Sequence, residues 1–309
     1  MSKGRVIATR SVLLASVLML AACHNEMPDF EPFDGQRAFA EVEALVQISP
    51  RDAGTANGRI AAEHILQRLE DNGIAAEIDT FSDQTPDGQK TMHNVIGRIP
   101  GRTDRWIILG SHFDTMPGIE NFQGANDSGS STGVLLEIAR ILALQQPEVG
   151  IMFAFFDGEE GIAGYIPGDG LHGSRHMAAR LVESGTDRKI DAMILLDMVG
   201  DANLHISIPA NSSRELVKEV LEAAHSTGLL EYVSVSRKSM IIDDHVPFLE
   251  IGIPAIDLID FKYGSQPGLH DLWHTSGDTL ENITAESLEI SGLITLQLVK
   301  QLAYEDKSD

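Results

Sequence analysis

Cysteine is almost absent from this 309-residue chain, which has only Cys23. No disulfide can form within a monomer, so the fold must stand on its apolar core. Positive charge is also scarce. Lys and Arg number 23 against 46 Asp and Glu, for a net charge of −23, and a body this acidic excludes nucleic acid and anionic lipid as electrostatic partners. Internal repeats and low-complexity linkers are missing, so one large domain fits the length best. Long apolar runs are lacking too. Val12 to Leu20 is the most apolar stretch, and it is too short to span a bilayer comfortably as a permanent helix.

That stretch has the layout of a targeting segment. Lys3, Arg5 and Arg10 form a basic region before it, and Leu20-Ala-Ala-Cys23 after it resembles the lipobox read by lipoprotein signal peptidase. The single cysteine therefore falls where a diacylglycerol acceptor is needed. Residues 1–22 are expected to be a lipoprotein signal peptide, 23–35 a tether and 36–309 the catalytic domain. Membrane attachment would come from the lipid alone, placing the protein in the cell envelope. His24 after Cys23, in place of Asp, points to the outer membrane facing the periplasm if the host is Gram-negative.

What the chain does contain is a recurring pattern of short apolar runs that end on polar, metal-ligating residues. Trp106-Ile-Ile-Leu-Gly-Ser-His112, Ile151-Met-Phe-Ala-Phe-Phe-Asp-Gly-Glu-Glu160 and Ala192-Met-Ile-Leu-Leu-Asp197 all have it. Near-continuous apolar strands belong to parallel sheets covered on both faces, and such sheets bind ligands beyond the carboxyl ends of their strands. Three strands would then deliver His112, Glu160 and Asp197 to one rim. Adjacent carboxylates such as Glu159 and Glu160 resist joint ionisation unless a cation neutralises one and a proton in transit occupies the other.

Around these runs the chain alternates. Amphipathic spacing predicts helices at about Arg37–Ile48, Asn57–Asn72, Gly129–Gln146, Ser174–Glu183, Arg214–Ser226 and Glu286–Ala303. Strands are expected at Ala76–Ser82 and His93–Ile99, joined as a hairpin through Thr85-Pro-Asp-Gly88, and near His205–Ile208 and Ala255–Ile259. The fold class expected is α/β: a single domain with a mixed, largely parallel central sheet between helical layers.

Zinc takes imidazole and carboxylate ligands, and hydrolytic sites keep one position open. Two more candidates fit beside His112, Glu160 and Asp197: Asp127, in Gly124-Ala-Asn-Asp-Ser-Gly129, and His274, in Leu272-Trp-His-Thr275. Each residue alone has a plainer explanation, since a lone histidine is more often a surface or core residue and a strand-end aspartate often caps a turn.

Taken in order, Gly110-Ser-His-Phe-Asp114, Gly124-Ala-Asn-Asp-Ser-Gly129, Phe156-Asp-Gly-Glu-Glu160, Leu195-Leu-Asp197, Asp244-His-Val-Pro-Phe248 and Trp273-His-Thr275 resemble the M28 family of zinc metalloenzymes, from about Pro50 to the C-terminal helix. That family comprises zinc aminopeptidases and the related glutaminyl-peptide cyclotransferases. The resemblance implies that Asp127, Glu160 and His274 hold one zinc and that Glu159 shuttles protons. In the aminopeptidases Asp127 would also bridge to a second zinc on His112 and Asp197. In the cyclotransferases one zinc is used, and Asp197 with Asp243 would keep Glu159 oriented.

Both branches act on peptide or protein N-termini, and complete ligands do not separate them. Trp273 before His274, Asp243 before Asp244-His245, and Gly170-Leu-His-Gly-Ser-Arg-His176 lean toward the cyclotransferases, with the Trp273 indole as a wall of the glutamine pocket. Asn126-Asp127-Ser-Gly129 is closer to the peptidase form, and Asp257 stands where animal cyclotransferases carry a histidine. A non-enzymatic binding domain on the same scaffold is a third possibility that missing ligands would support, and none is missing. Gly129-Ser-Ser131-Thr-Gly133 matches the serine-hydrolase elbow, but the polar, turn-forming residues before it are not the strand an elbow requires.

Overall fold

The computed structural model describes Met1 and residues 30–164, 166 and 168–304. The expected signal peptide, Cys23 and His24 lie outside the described residues. Two helices open the fold. α1 (Gly35–Val46) starts where the Asp34 carboxylate accepts from the Gln36 and Arg37 amides, and α2 (Ala56–Asp71) where the Thr55 hydroxyl accepts from Gly58. Each cap satisfies amides that a helix start leaves without partners. Just before α1, Phe33 is buried in the main core and Phe30 packs edge-on against Tyr304. Among the described residues, packing is thus already present at Phe30, inside the stretch expected to be a tether.

The hairpin follows as β1 (Ala75–Thr85) and β2 (Gly88–Ile99), longer than the expected strands, with Thr85 opposite Gly88 across a two-residue turn. Gly88 has φ +106°, which a side chain would strain. Then come β3 (Trp106–His112), α3 (Ser131–Leu142), β4 (Gly150–Phe156), α4 (His172–Ser184), β5 (Ile190–Asp197), β6 (Ile206–Ile208), α5 (Arg214–Ser226), β7 (Val233–Val235), α6 (Val246–Glu250), β8 (Ala255–Ile259) and α7 (Ala285–Ala303).

The eight strands form one sheet in the order β1-β2-β4-β3-β5-β8-β6-β7. Its centre, β4-β3-β5-β8, is parallel, while β2 joins β4 and β6 joins β8 antiparallel. The alternation of β4 explains why its run is apolar throughout. Ile151, Phe153 and Phe155 face the large core under α1, α2, α3, α5 and α7, and Met152, Ala154 and Phe156 face the smaller core under α4 and α6. A strand covered on both faces has no polar side to show. The expected mixed sheet between helical layers is what forms. None of the described helices is long and apolar enough to cross a membrane.

Candidate metal and catalytic centre

His112 is the last residue of β3 and Asp197 the last of β5, two neighbouring parallel strands. On the other side of β3, β4 stops at Phe156 and a turn through Gly158 (φ +79°) carries Glu159 and Glu160 to the same rim. A Cβ at Gly158 would sit 2.6 Å from the Met92 sulfur, so the turn has no room for a side chain. Asp114 then fixes the two glutamates: its carboxylate accepts the Glu159 amide at 3.1 Å and the Glu160 amide at 3.2 Å. It also stands 3.4 Å from His112 Nδ1.

Asp127 comes, as expected, from the turn at the start of a helix. It lies in a one-turn π-helical segment, Ala125–Ser130, that runs into α3, and its own backbone is non-helical. Asp278 holds this turn by accepting the Asn126 amide at 2.7 Å and the Asp127 amide at 3.0 Å, and it accepts from the Tyr263 hydroxyl at 3.1 Å. Arg51, fully buried, spans the loop before it, with its guanidinium donating to the carbonyls of Phe113, Gln123 and Gly124. Neither Arg51 nor Asp278 was singled out from the sequence, because a lone buried polar residue leaves no periodic signal. Asp114 stood in a quoted motif without a role, and its place two residues beyond His112 was the available clue.

These supports converge five ligating side chains into two groups that share Asp127. His112, Asp127 and Asp197 form one; Asp127, Glu160 and His274 form the other. Oδ1 of Asp127 is 3.1 Å from His112 Nε2, and its Oδ2 is 3.4 Å from His274 Nε2. Asp197 Oδ1 lies 3.4 Å from His112 Nε2, and Glu160 Oε2 lies 3.2 Å from His274 Nε2. Both Nε2 atoms are buried, yet neither meets hydrogen-bond geometry with the oxygens it faces. Nitrogen and oxygen donors that crowd a common point without bonding one another are a donor set suited to a divalent cation such as zinc.

The electrostatics agree. Burial opposes charge on His112, but Asp114, Asp127 and Asp197 around it overcome this and raise its pKa well above the usual value. His274 is likewise pushed up to about 10: burial pulls it down, and Asp127 and Glu160 more than offset that pull. Burial raises Glu160 to about 7, reinforced by Asp127. Glu159 is raised well above the carboxylate range by burial, with His112 opposing and Glu160, Asp243 and Asp244 adding to the rise. A proton-holding glutamate beside a ligand cluster is what acid–base work requires.

A cleft of about 640 Å³ opens onto this centre, and Asp127, Glu159, Asp197, Asp243 and Trp273 all line it. Behind Asp243, Asp257 of β8 and His245 complete a third buried group. Burial raises both Asp243 and Asp257, with Asp197 and Asp244 adding to the first and Asp243, Asp197 and Asp244 to the second, while His245, pulled down to about 4 by burial, stays neutral against Asn211. The Trp273 indole stacks on His274 with centroids 3.9 Å apart and contacts Phe261 on another side. It also packs on a small core of Met198, Ile259 and Tyr263, so its packing and site roles coexist.

Other residues fall outside. The Ser131 hydroxyl is buried at the start of α3, bonded to the Ser111 hydroxyl at 2.8 Å and donating to the Ser128 carbonyl at 3.1 Å, and neither partner is a base. His172 and His176 turn to Asp83 and Asp79 on β1 instead of the cleft.

Comparison with known proteins bears on the whole arrangement. The profile of peptidase family M28 matches residues 94–299. Among characterised proteins, the chain is 31% identical over 280 residues to a glutaminyl-peptide cyclotransferase of Drosophila melanogaster, covering 82% of this chain and 77% of that one. Among solved structures, a glutaminyl cyclase from an Acidobacteriales bacterium superposes with a TM-score of 0.83 at 35% identity, covering 90% of this chain and 97% of that one. A leucine aminopeptidase precursor from Bacteroides thetaiotaomicron superposes at 0.78 with 27% identity, covering 90% and 99%. The family match spans two thirds of the chain, and the protein belongs to peptidase family M28, a family of zinc-dependent enzymes.

Proposed function

We propose that this enzyme is a glutaminyl-peptide cyclotransferase, which converts the N-terminal glutamine of peptides and proteins to pyroglutamate with release of ammonia. The observation that carries this is Trp273. Its indole lies flat on His274 and lines the same cleft as Glu159, which suits a site for a planar carboxamide beside the ligand group. Likeness to a glutaminyl-peptide cyclotransferase and to a glutaminyl cyclase supports it.

Asp127, Glu160 and His274 would hold zinc, which when bound polarises the γ-carbonyl of the glutamine as a Lewis acid. The free α-amine attacks the side-chain carboxamide carbon (Cδ), a new C–N bond closes the lactam, and the bond from that carbon to the carboxamide nitrogen breaks. Glu159 takes the proton from the amine and gives it to the departing nitrogen, which leaves as ammonia. Asp197 and Asp243, on the same cleft, would keep the Glu159 carboxyl oriented.

The intact His112–Asp127–Asp197 group favours a second reading, an aminopeptidase with two zincs. There Glu159 would take the proton of an attacking water, and the first peptide bond would break. Incubating zinc-loaded protein with a glutaminyl peptide and a leucyl peptide separates the two. Ammonia release without chain cleavage supports the cyclotransferase, and efficient cleavage of the leucyl peptide overturns it.

Trp273→Ala tests the pocket itself. Turnover of a glutaminyl peptide is expected to fall on the order of 10²-fold through misplacement of the substrate, with zinc content unchanged by metal analysis. Normal cyclisation would remove the indole from the site.

We further infer lipid anchoring in the envelope through Cys23, with the outer membrane as destination in a Gram-negative host. Cys23→Ser is expected to move the protein from the detergent phase to the aqueous phase, since the acidic body offers no electrostatic substitute. Retention in the detergent phase would show another anchor.

A further inference from the structure

The cleft is too long for one glutamine. It runs from Asp197 on β5 across β8 and β6 to Val235 on β7, the edge strand. Three strand spacings amount to roughly 14 Å, about the length of four extended residues at roughly 3.3–3.6 Å each. The floor of the far half is made of the hydroxyls of Ser207 and Ser234, side by side on β6 and β7.

One wall of the cleft, the segment leading up to Asp243, exposes apolar side chains on a backbone held at Ser239 and Ile241. Asn211 grips Ile241 on both sides, accepting its amide at 3.1 Å and donating to its carbonyl at 2.8 Å, and the Ala210 amide donates to the Ser239 carbonyl. With Ile241 clamped, its neighbours Met240 and Ile242 are 73% and 58% exposed, and both line the cleft. Val235 is a third exposed apolar residue there. Scattered exposed apolar residues mean little, but three within residues 235–242 that all line one cleft mark a surface that is covered in use. The inner end is lined by carboxylates, which disfavour an acidic group nearby.

We propose that this lip is the subsite for the residue that follows the N-terminal glutamine, and that it takes a large apolar side chain. This rests on the reading that the first residue sits at Glu159, from which the peptide can only run outward along the cleft. Met240 and Ile242 then set the preference for the second residue.

The test uses zinc-loaded protein carrying Glu159→Gln, so that binding is measured without turnover. Calorimetric dissociation constants are compared for glutaminyl-leucyl-alanine amide and glutaminyl-glycyl-alanine amide. The leucyl peptide is expected to bind about 10-fold more tightly, the equivalent of burying most of one such side chain. Adding Met240→Ser and Ile242→Ser should bring the two constants together by weakening the leucyl peptide alone. Equal constants before that change, a leucine preference that survives it, or no binding of either peptide overturns the proposal. Ammonia release by protein with Glu159 intact is read separately: its absence together with a leucine preference counts against cyclisation and leaves the subsite standing.

Discussion

Glu159→Gln is expected to lower turnover of a glutaminyl peptide by roughly 10²–10⁴-fold, the usual contribution of a positioned acid–base group. Zinc content and thermal stability should stay near those of the unsubstituted protein, because Glu159 belongs to neither ligand group and its amide, held by Asp114, is unchanged. The amide of Gln keeps the shape but cannot carry a proton from one nitrogen to another. The comparison to make is kcat for both proteins at matched zinc occupancy. A near-normal rate would show that another group moves the proton.

Asp127→Ala should have the widest effect on metal. Asp127 is the one residue common to both ligand groups, with one oxygen toward His112 and the other toward His274. Its removal leaves each group short by one ligand, so zinc affinity should fall by more than the ~10–100-fold that follows loss of an outer hydrogen-bonding partner. Activity should vanish at sub-stoichiometric zinc. His112→Ala touches one group only. Metal analysis of the two variants side by side reads out the number of zincs: if His112→Ala keeps both the metal and the rate, one ion suffices. Full zinc in Asp127→Ala would reject the assigned centre.

The parts of this fold that sequence could disclose are those with a local signature. β3, β4 and β5 were visible because each apolar run breaks abruptly at a ligand, and α5 because its spacing repeats over 13 residues. β7 and α6, of three and five residues, are too short to establish a period and went unseen. The five candidate ligands that the fold brings together are legible in the sequence because each stands in a recognisable motif. The groups that hold them were not. Asp278 reaches the Asp127 turn from 151 residues away, and Arg51 bonds to carbonyls whose own side chains are irrelevant to the contact. A side chain that recognises distant backbone imposes no residue type on its partner, so nothing in the partner's sequence betrays it.

The sharing of Asp127 also ties cation uptake to completion of the chain. The five ligands are spread from His112 at the end of β3 to His274, shortly before the last helix, and no neighbouring pair in sequence makes a chelate by itself. A nascent chain ending before His274 has at most a partial set, and an unfolded one holds its ligands too far apart to act together. A zinc held by these residues would favour the finished fold over every earlier form, by mass action. It would act as a seal on the native state, drawing the folding equilibrium toward the one arrangement able to receive it.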